Sequence, residues 1–218
     1  MRISRGFDMA RLRTAVLVSG GGTNLQALID FEAEHGESCP YQIVCVISDT
    51  KKAFALERAS KAGIPTAVCS PYAVMGEAAA KSADRDTKRL AVSNAVLAVC
   101  RENDVQAIVH AGFLTVLSGK ILECYENKNL NLHPALLPKF GGVGMWGHHV
   151  HEAVLAAGER ESGCTVHLVT AECDAGKILI QKRVPVLPDD TPETLYARIA
   201  PKEHEAIVEG LCMLAKSL

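Results

Sequence analysis

Asn131 and His133 stand two residues apart in Asn129-Leu-Asn-Leu-His133, an apolar-alternating run that breaks at Pro134. Alternate residues of an extended strand share a face. The spacing therefore sets a neutral amide donor beside a titratable imidazole, and a carbonyl brought to that face meets both. A later acid, Asp174, lies in Glu172-Cys-Asp-Ala-Gly176. A carboxylate near an imidazole raises its pKa and fixes its orientation. The same segment reads equally well as a plain turn between two strands, and most histidines are merely satisfied surface or core residues.

A second stretch with chemical potential is Gly20-Gly-Gly-Thr-Asn24, between an apolar run and a helical pattern. Glycines here let backbone N–H groups approach an anion, and a helix N-terminus favours negative charge. Leu25 stands where the dinucleotide fingerprint wants another glycine, and no Gly-Lys-Ser/Thr follows. A single phosphate suits the loop better than a dinucleotide; the bland reading is a tight turn that binds nothing. His148, His149 and His151 form the densest histidine group. Three-residue spacing lets His148 and His151 share a helix face as metal ligands, but no Asp or Cys completes a set, so a solvated helix start is the simpler reading. Trp146, among the glycines of 141–147, is either a lid or a packing residue.

These residues need a frame. Thr14–Ser19 reads as a buried parallel strand feeding the glycine turn, with Thr23 or Asn24 capping the next helix. Tyr41–Ser48, Ile64–Val68, Val105–Ala111, the Asn129 run, Thr165–Thr170 and Ile178–Val184 read as further strands. Helices are expected at Lys52–Ala62, Asp84–Glu102, His148–Ala157 and Thr191–Leu214, the last with Pro192 in its first turn; 70–83 has no clear pattern. Strands alternating with helices give an α/β fold, a Rossmann-like and largely parallel sheet flanked by helices. Ligands of such sheets sit beyond the carboxyl ends of the strands, where Gly20–Asn24, Ala111–Leu117 and Asn131–His133 all fall.

Composition bounds the function. The chain has 218 residues, 48% hydrophobic and 22% charged, with a formal net charge of −2. It is long enough for one large domain (13–218 after an N-terminal extension, 1–12) and carries no basic field for nucleic acid. Eight scattered cysteines without a Cys-x-x-Cys pair fit buried, reduced thiols and a cytoplasmic setting. No run approaches the ~20 apolar residues of a membrane span.

Four stretches in order resemble the phosphoribosylglycinamide formyltransferase family, the folate-dependent glycinamide ribonucleotide transformylases of purine synthesis. They are Val16-Leu-Val-Ser-Gly-Gly-Gly-Thr-Asn-Leu-Gln-Ala27, Ala111-Gly-Phe-Leu-Thr-Val-Leu-Ser118, Asn131-Leu-His-Pro-Ala-Leu-Leu-Pro138, and Thr165-Val-His167 with Asp174 downstream. The likeness runs from about Thr14 to about Gly210. It implies a formyltransferase fold with 10-formyltetrahydrofolate as co-substrate and no metal. Partners would be small molecules, with neither nucleic acid nor membrane, and the chain a monomer or homodimer.

By the same resemblance, Gly22, Thr23, Asn24, Leu25 and Gln26 hold the acceptor's ribose phosphate through loop amides. Arg89, or failing it Arg85, assists the phosphate, and Glu203 contacts the ribonucleotide. Leu114, Thr115, Val116 and Leu117 line the folate pocket, while Ala171, Glu172 and Cys173 meet the pterin. Asn131, His133 and Asp174 are the catalytic set, Asp174 keeping His133 protonated, with His167 in support. The Leu137–Pro138 bond is expected to be cis. Thr115 stands where the family commonly has an arginine, and 141–151 is longer and richer in glycine and histidine. Related readings keep the chemistry with another amine acceptor, or make the chain a formyltetrahydrofolate hydrolase. A formyltransferase acting on methionyl-tRNA is expected to carry an extra basic domain and the hydrolase a regulatory one. A nucleotide- or metal-binding module is the reading from another class.

Overall fold

Residues 11–218 are described by a computed structural model. Their strands are β1 (Leu12–Val18), β2 (Tyr41–Ser48), β3 (Thr66–Val68), β4 (Ala107–His110), β5 (Asn129–His133), β6 (Glu161–Leu168) and β7 (Ile178–Pro185). They form one sheet in the order β3-β2-β1-β4-β5-β6-β7. The first five are mutually parallel, while β6 runs antiparallel to β5, and β7 to β6. The helices are α1 (Thr23–His35), α2 (Phe54–Lys61), α3 (Pro71–Met75), α4 (Glu77–Ser82), α5 (Arg85–Glu102), α6 (Lys120–Cys124), α7 (His148–Ala156) and α8 (Pro192–Ser217). Short helices α3 and α4 fill the segment that showed no clear pattern, and α6 was not foreseen.

The apolar run of β1 is explained by burial on both faces. Val16 and Val18 join Leu130, Leu132 and Val166 under α1 and α8, whereas Ala15 and Leu17 join Ile108 under α5 and α6. Gly210 lets α8 lie close on β6, since a Cβ there would stand 2.7 Å from Val166 Cγ1. Residues 1–10 of the expected extension lie outside the described residues. Its last two are not loose: Leu12 opens β1 and is buried, and the Arg11 guanidinium bridges Glu32 and the Tyr41 carbonyl.

The register places the chemistry. Leu130 and Leu132 point into the α8 core, so Asn129, Asn131 and His133 face the other side. Pairing sets His110 of β4 beside Asn131 and Asn131 beside His167 of β6. Because β6 is antiparallel, the loop that follows leaves the sheet low, where Val169 N donates to Asn129 O at 2.8 Å. That loop turns back before Asp174 reaches His133, and Asp174 itself has a left-handed φ of 56°. No helix among the described residues is long and apolar enough to cross a membrane.

Candidate active site

A cleft of about 750 Å³ opens at the carboxyl ends of β1, β4 and β5. Asn131, His133 and Asp174 share its wall with His167. Asp174 Oδ2 lies 3.6 Å from His133 Nδ1, and its Oδ1 lies 3.4 Å from His167 Nε2. His167 Nδ1 meets the Leu168 carbonyl at 2.9 Å, and its Nε2 also lies 3.1 Å from Asn131 Nδ2. Asn131 Nδ2 also approaches Asp174 Oδ1 at 3.4 Å. The amide nitrogen is thus turned toward His167 and Asp174. Gly142 N donates to Asp174 Oδ2 at 2.9 Å, so the glycine-rich loop holds the carboxylate from the opposite side.

The charge of His133 is subject to opposing influences. Burial pulls its pKa below the ordinary value, and the Asp174 carboxylate and Phe140 carbonyl offset this only in part. His133 Nε2 lies 2.7 Å from Phe140 O. Nε2 thus faces one acceptor and Nδ1 another, Asp174 Oδ2. Burial at 3% exposure works against the expected protonated ring, while Asp174 works for it. Burial works to raise the Asp174 pKa, but hydrogen bonds from His167 and Gly142 and the nearby His133 outweigh it, and the carboxyl sits below its usual value.

The glycine loop forms one end of the cleft. Gly22, not Thr23 or Asn24, caps α1, with φ 73° and no side-chain cap. A Cβ on it would meet Ala55 Cβ at 2.5 Å and Cα at 2.8 Å. Gln26 N closes the first helical turn onto Gly22 O, so its amide is spent, and the free donors of the helix end precede it. Leu25 is fully buried and offers only its backbone. Arg58 of α2, unforeseen, braces the loop through Gly21 O at 2.8 Å and Gln26 Oε1 at 3.1 Å. Glu203 enters from α8, 5% exposed, and accepts from Asn24 Nδ2 at 3.1 Å. Burial raises its pKa.

The other end is walled by residues 111–117 and the loop after β6. Leu114 and Val116 are exposed there, while Thr115 anchors the wall, its N and Oγ1 donating to Asp49 Oδ2 at 3.2 and 2.8 Å. Glu172 and Cys173 line the cleft; Ala171 lines an adjoining hollow of about 560 Å³. Arg89 is corrected: its guanidinium donates to Val116 O and Leu117 O at 2.6 and 2.9 Å, and it lines the hollow rather than the main cleft. Helix α5 lies against this wall, which spends Arg89 there. Arg85, the fallback, lines both spaces.

The histidine group splits. His151 is 1% exposed and neutral, with burial pulling its pKa to about 4, which corrects the reading of a solvated helix start. It stacks near Tyr196 of α8, ring centroids 5.6 Å apart, and both line the cleft. His148 and His149 are exposed, and Trp146 packs edge-on to His149 at 4.9 Å. No group of three or more His, Cys, Asp or Glu among the described residues is arranged to hold a metal. Sequence reasoning missed His110, Arg58 and Tyr196; His110 alone left a signal, a polar residue ending an apolar strand. The Leu137–Pro138 bond is cis.

Residues 12–211 match the family model described as formyl transferase. The chain is 36% identical over 193 residues to the phosphoribosylglycinamide formyltransferase of Haemophilus influenzae, covering 88% of this chain and 82% of that one. It is 40% identical to the trifunctional purine biosynthetic protein adenosine-3 of Drosophila pseudoobscura pseudoobscura, covering 98% of this chain but only 14% of that protein's length. The crystal structure of glycinamide ribonucleotide transformylase 1 from Symbiobacterium toebii superposes with a TM-score of 0.83 at 33% identity, covering 100% of this chain and 92% of that one.

Proposed function

This chain belongs to the formyl transferase family, and on that premise we propose that it transfers the formyl group of 10-formyltetrahydrofolate to the amine of glycinamide ribonucleotide. The observation that carries the reading is the meeting of Asn131, His133 and Asp174 midway along a cleft. One end of that cleft suits a phosphate, and the other suits a flat, largely apolar donor. The acceptor's phosphate sits on the loop amides of Gly22 to Leu25 at the helix N-terminus, and Glu203 takes a hydroxyl of its ribose. The folate lies along Leu114–Leu117 and Ala171–Cys173. Arg89 braces that wall, and Arg85 faces the donor.

The amine attacks the formyl carbon, and the carbonyl oxygen becomes an anion. Asn131 Nδ2 has a second N–H beyond the one spent on His167 and Asp174, and it donates to that oxygen. His133 Nδ1 takes the amine's proton. The imidazolium so formed lies against Asp174 and the oxyanion, where both charges stabilise it. Collapse breaks the bond to the donor's N10, which leaves with the proton from His133. A preorganised donor of this kind contributes about 3 kcal/mol in the transition state. The reading uses neither metal nor ATP, and it places the protein in the cytoplasm as a small-molecule enzyme, monomer or homodimer.

The test is an acceptor assay with purified protein, 10-formyltetrahydrofolate and glycinamide ribonucleotide in a chelator. Formylated ribonucleotide appearing in step with tetrahydrofolate is the expected result. Folate consumption at the same rate without acceptor would make the chain a hydrolase, and transfer only to another amine would change the acceptor.

A further inference from the structure

The cleft wall beside Asn131 carries polar groups that the transfer chemistry does not use. His110 is the last residue of β4, 6% exposed, and it lines the cleft. Its Nε2 is buried without a hydrogen-bond partner. Asn129, 1% exposed, is one pleat below Asn131 on the same face, and neither its Nδ2 nor its Oδ1 has a partner. Those atoms lie outside strict hydrogen-bond geometry although the two side chains interact weakly with each other, and buried groups so poorly paired are costly because each loses its water for little in return. An apolar pair would fill the same place without that loss.

The placement points to a ligand on the donor side. His110 precedes Ala111–Leu117, the wall assigned to the folate, and stands one strand from Asn131, where the formyl group must lie. Phe113, from that wall, meets the His110 ring edge-on at 5.7 Å. Burial pulls the imidazole to about 4, offset only in part by a weak hydrogen bond with the adjacent Asn129 side chain. The ring is neutral near pH 7, with one nitrogen donating and one accepting. A neutral ring of this kind pairs with the in-plane N–H and C=O groups of a heterocycle and demands no charge from it.

We propose that His110, supported by Asn129, is a specificity-determining residue that hydrogen-bonds the polar edge of the donor's bicyclic nitrogen heterocycle. The proposal rests on the formyl-folate reading above. It makes the inner donor wall polar, so the enzyme selects its donor by hydrogen bonding as well as by apolar fit.

The experiment compares wild type with His110→Leu, His110→Gln and Asn129→Leu. Steady-state kinetics are run in both substrates, with tetrahydrofolate binding by equilibrium dialysis and unfolding by urea. In His110→Leu the donor KM and the tetrahydrofolate Kd rise about tenfold, the scale of one lost hydrogen bond. The kcat and acceptor KM stay within about twofold, and the urea midpoint does not fall. His110→Gln, which keeps a donor and an acceptor, recovers most of the affinity, and Asn129→Leu loses part of it. An unchanged donor KM in His110→Leu overturns the proposal. So does a joint fall in kcat, acceptor affinity and stability across both Leu variants, which would mark a structural role. Wild-type protein that neither binds tetrahydrofolate nor transfers formyl removes the folate reading itself, and the wild-type arm shows that separately.

Discussion

The imidazole of His133 is set by a contest between burial and two acceptors. Asp174 and the Phe140 carbonyl favour the charged ring, while loss of water disfavours it more. The proposed transfer starts from a resting base that becomes an imidazolium, which that balance favours. The sign of the pH dependence is then fixed: the base form is lost only as pH falls through a pKa below the ordinary ~6.5. The acid limb of kcat/KM is expected below pH ~6.5. A limb clearly above that value would mean that Asp174 holds the resting ring charged. Asp174→Asn removes the anion that stabilises imidazolium, so it moves the limb lower still and cuts kcat about a thousandfold. His133→Ala abolishes the limb and loses a similar factor, with circular dichroism unchanged. Wild-type turnover in either variant would dismantle the catalytic set. The pair of residues was legible from a two-residue spacing, whereas the charge on His133 was not, because desolvation depends on everything packed around it.

At the scale of elements, the glycine turn after β1 shows why loop chemistry is bound to packing. Gly22 combines a left-handed φ with α2 pressed against it. A methyl group there costs about 1–2 kcal/mol in backbone conformation alone, and the clash with Ala55 adds to it. Gly22→Ala is expected to raise the acceptor KM about tenfold or more, with the donor KM nearly unchanged. Equal effects on both substrates would deny the turn its phosphate. The strand–glycine–helix order was readable from sequence. Arg58 bracing the turn was not, since 37 residues separate it from Gly21. Arg89 teaches the converse. The resemblance put it at the phosphate, yet α5 lies against the wall after β4 and spends its guanidinium on Val116 and Leu117.

For the whole molecule, the sheet reverses direction of growth at β1, with β2 on one side and β4 on the other. The turns after β1 and β4 therefore diverge and leave a crevice between them. Filling that crevice wall with neutral histidines has a cost in acid. His110 and His151 are held near 4 by burial, whereas an unfolded histidine titrates near ~6.5. Between those values the unfolded chain binds more protons, so stability falls as pH drops, by up to about 1.4 kcal/mol per pH unit for each ring. Asp174, lowered, adds loss further into acid; Glu203, raised, works the other way. Urea midpoints at pH 7 and pH 5 should differ accordingly, and His110→Leu with His151→Leu should flatten the difference. A midpoint independent of pH in wild type would contradict the buried neutral rings.

Periodicity alone determined the α/β class, the approximate strands and the longer helices, because burial on one or two faces writes itself into spacing. Motif spacing brought Asn131 and His133 together and marked Asp174 and the glycine turn as candidates, and resemblance supplied Glu203 and the roles of the rest. The tertiary structure decided what no local pattern encodes. It set the strand order, the antiparallel β6 that sends Asp174 back across the cleft, the burial of His133, and the contacts of Arg58 and Arg89. It also turned His110 from one polar letter at a strand end into a buried imidazole lining the cleft beside the site. Such properties depend on which distant segments exclude water from one another, and that is fixed only when the sheet and its helices close.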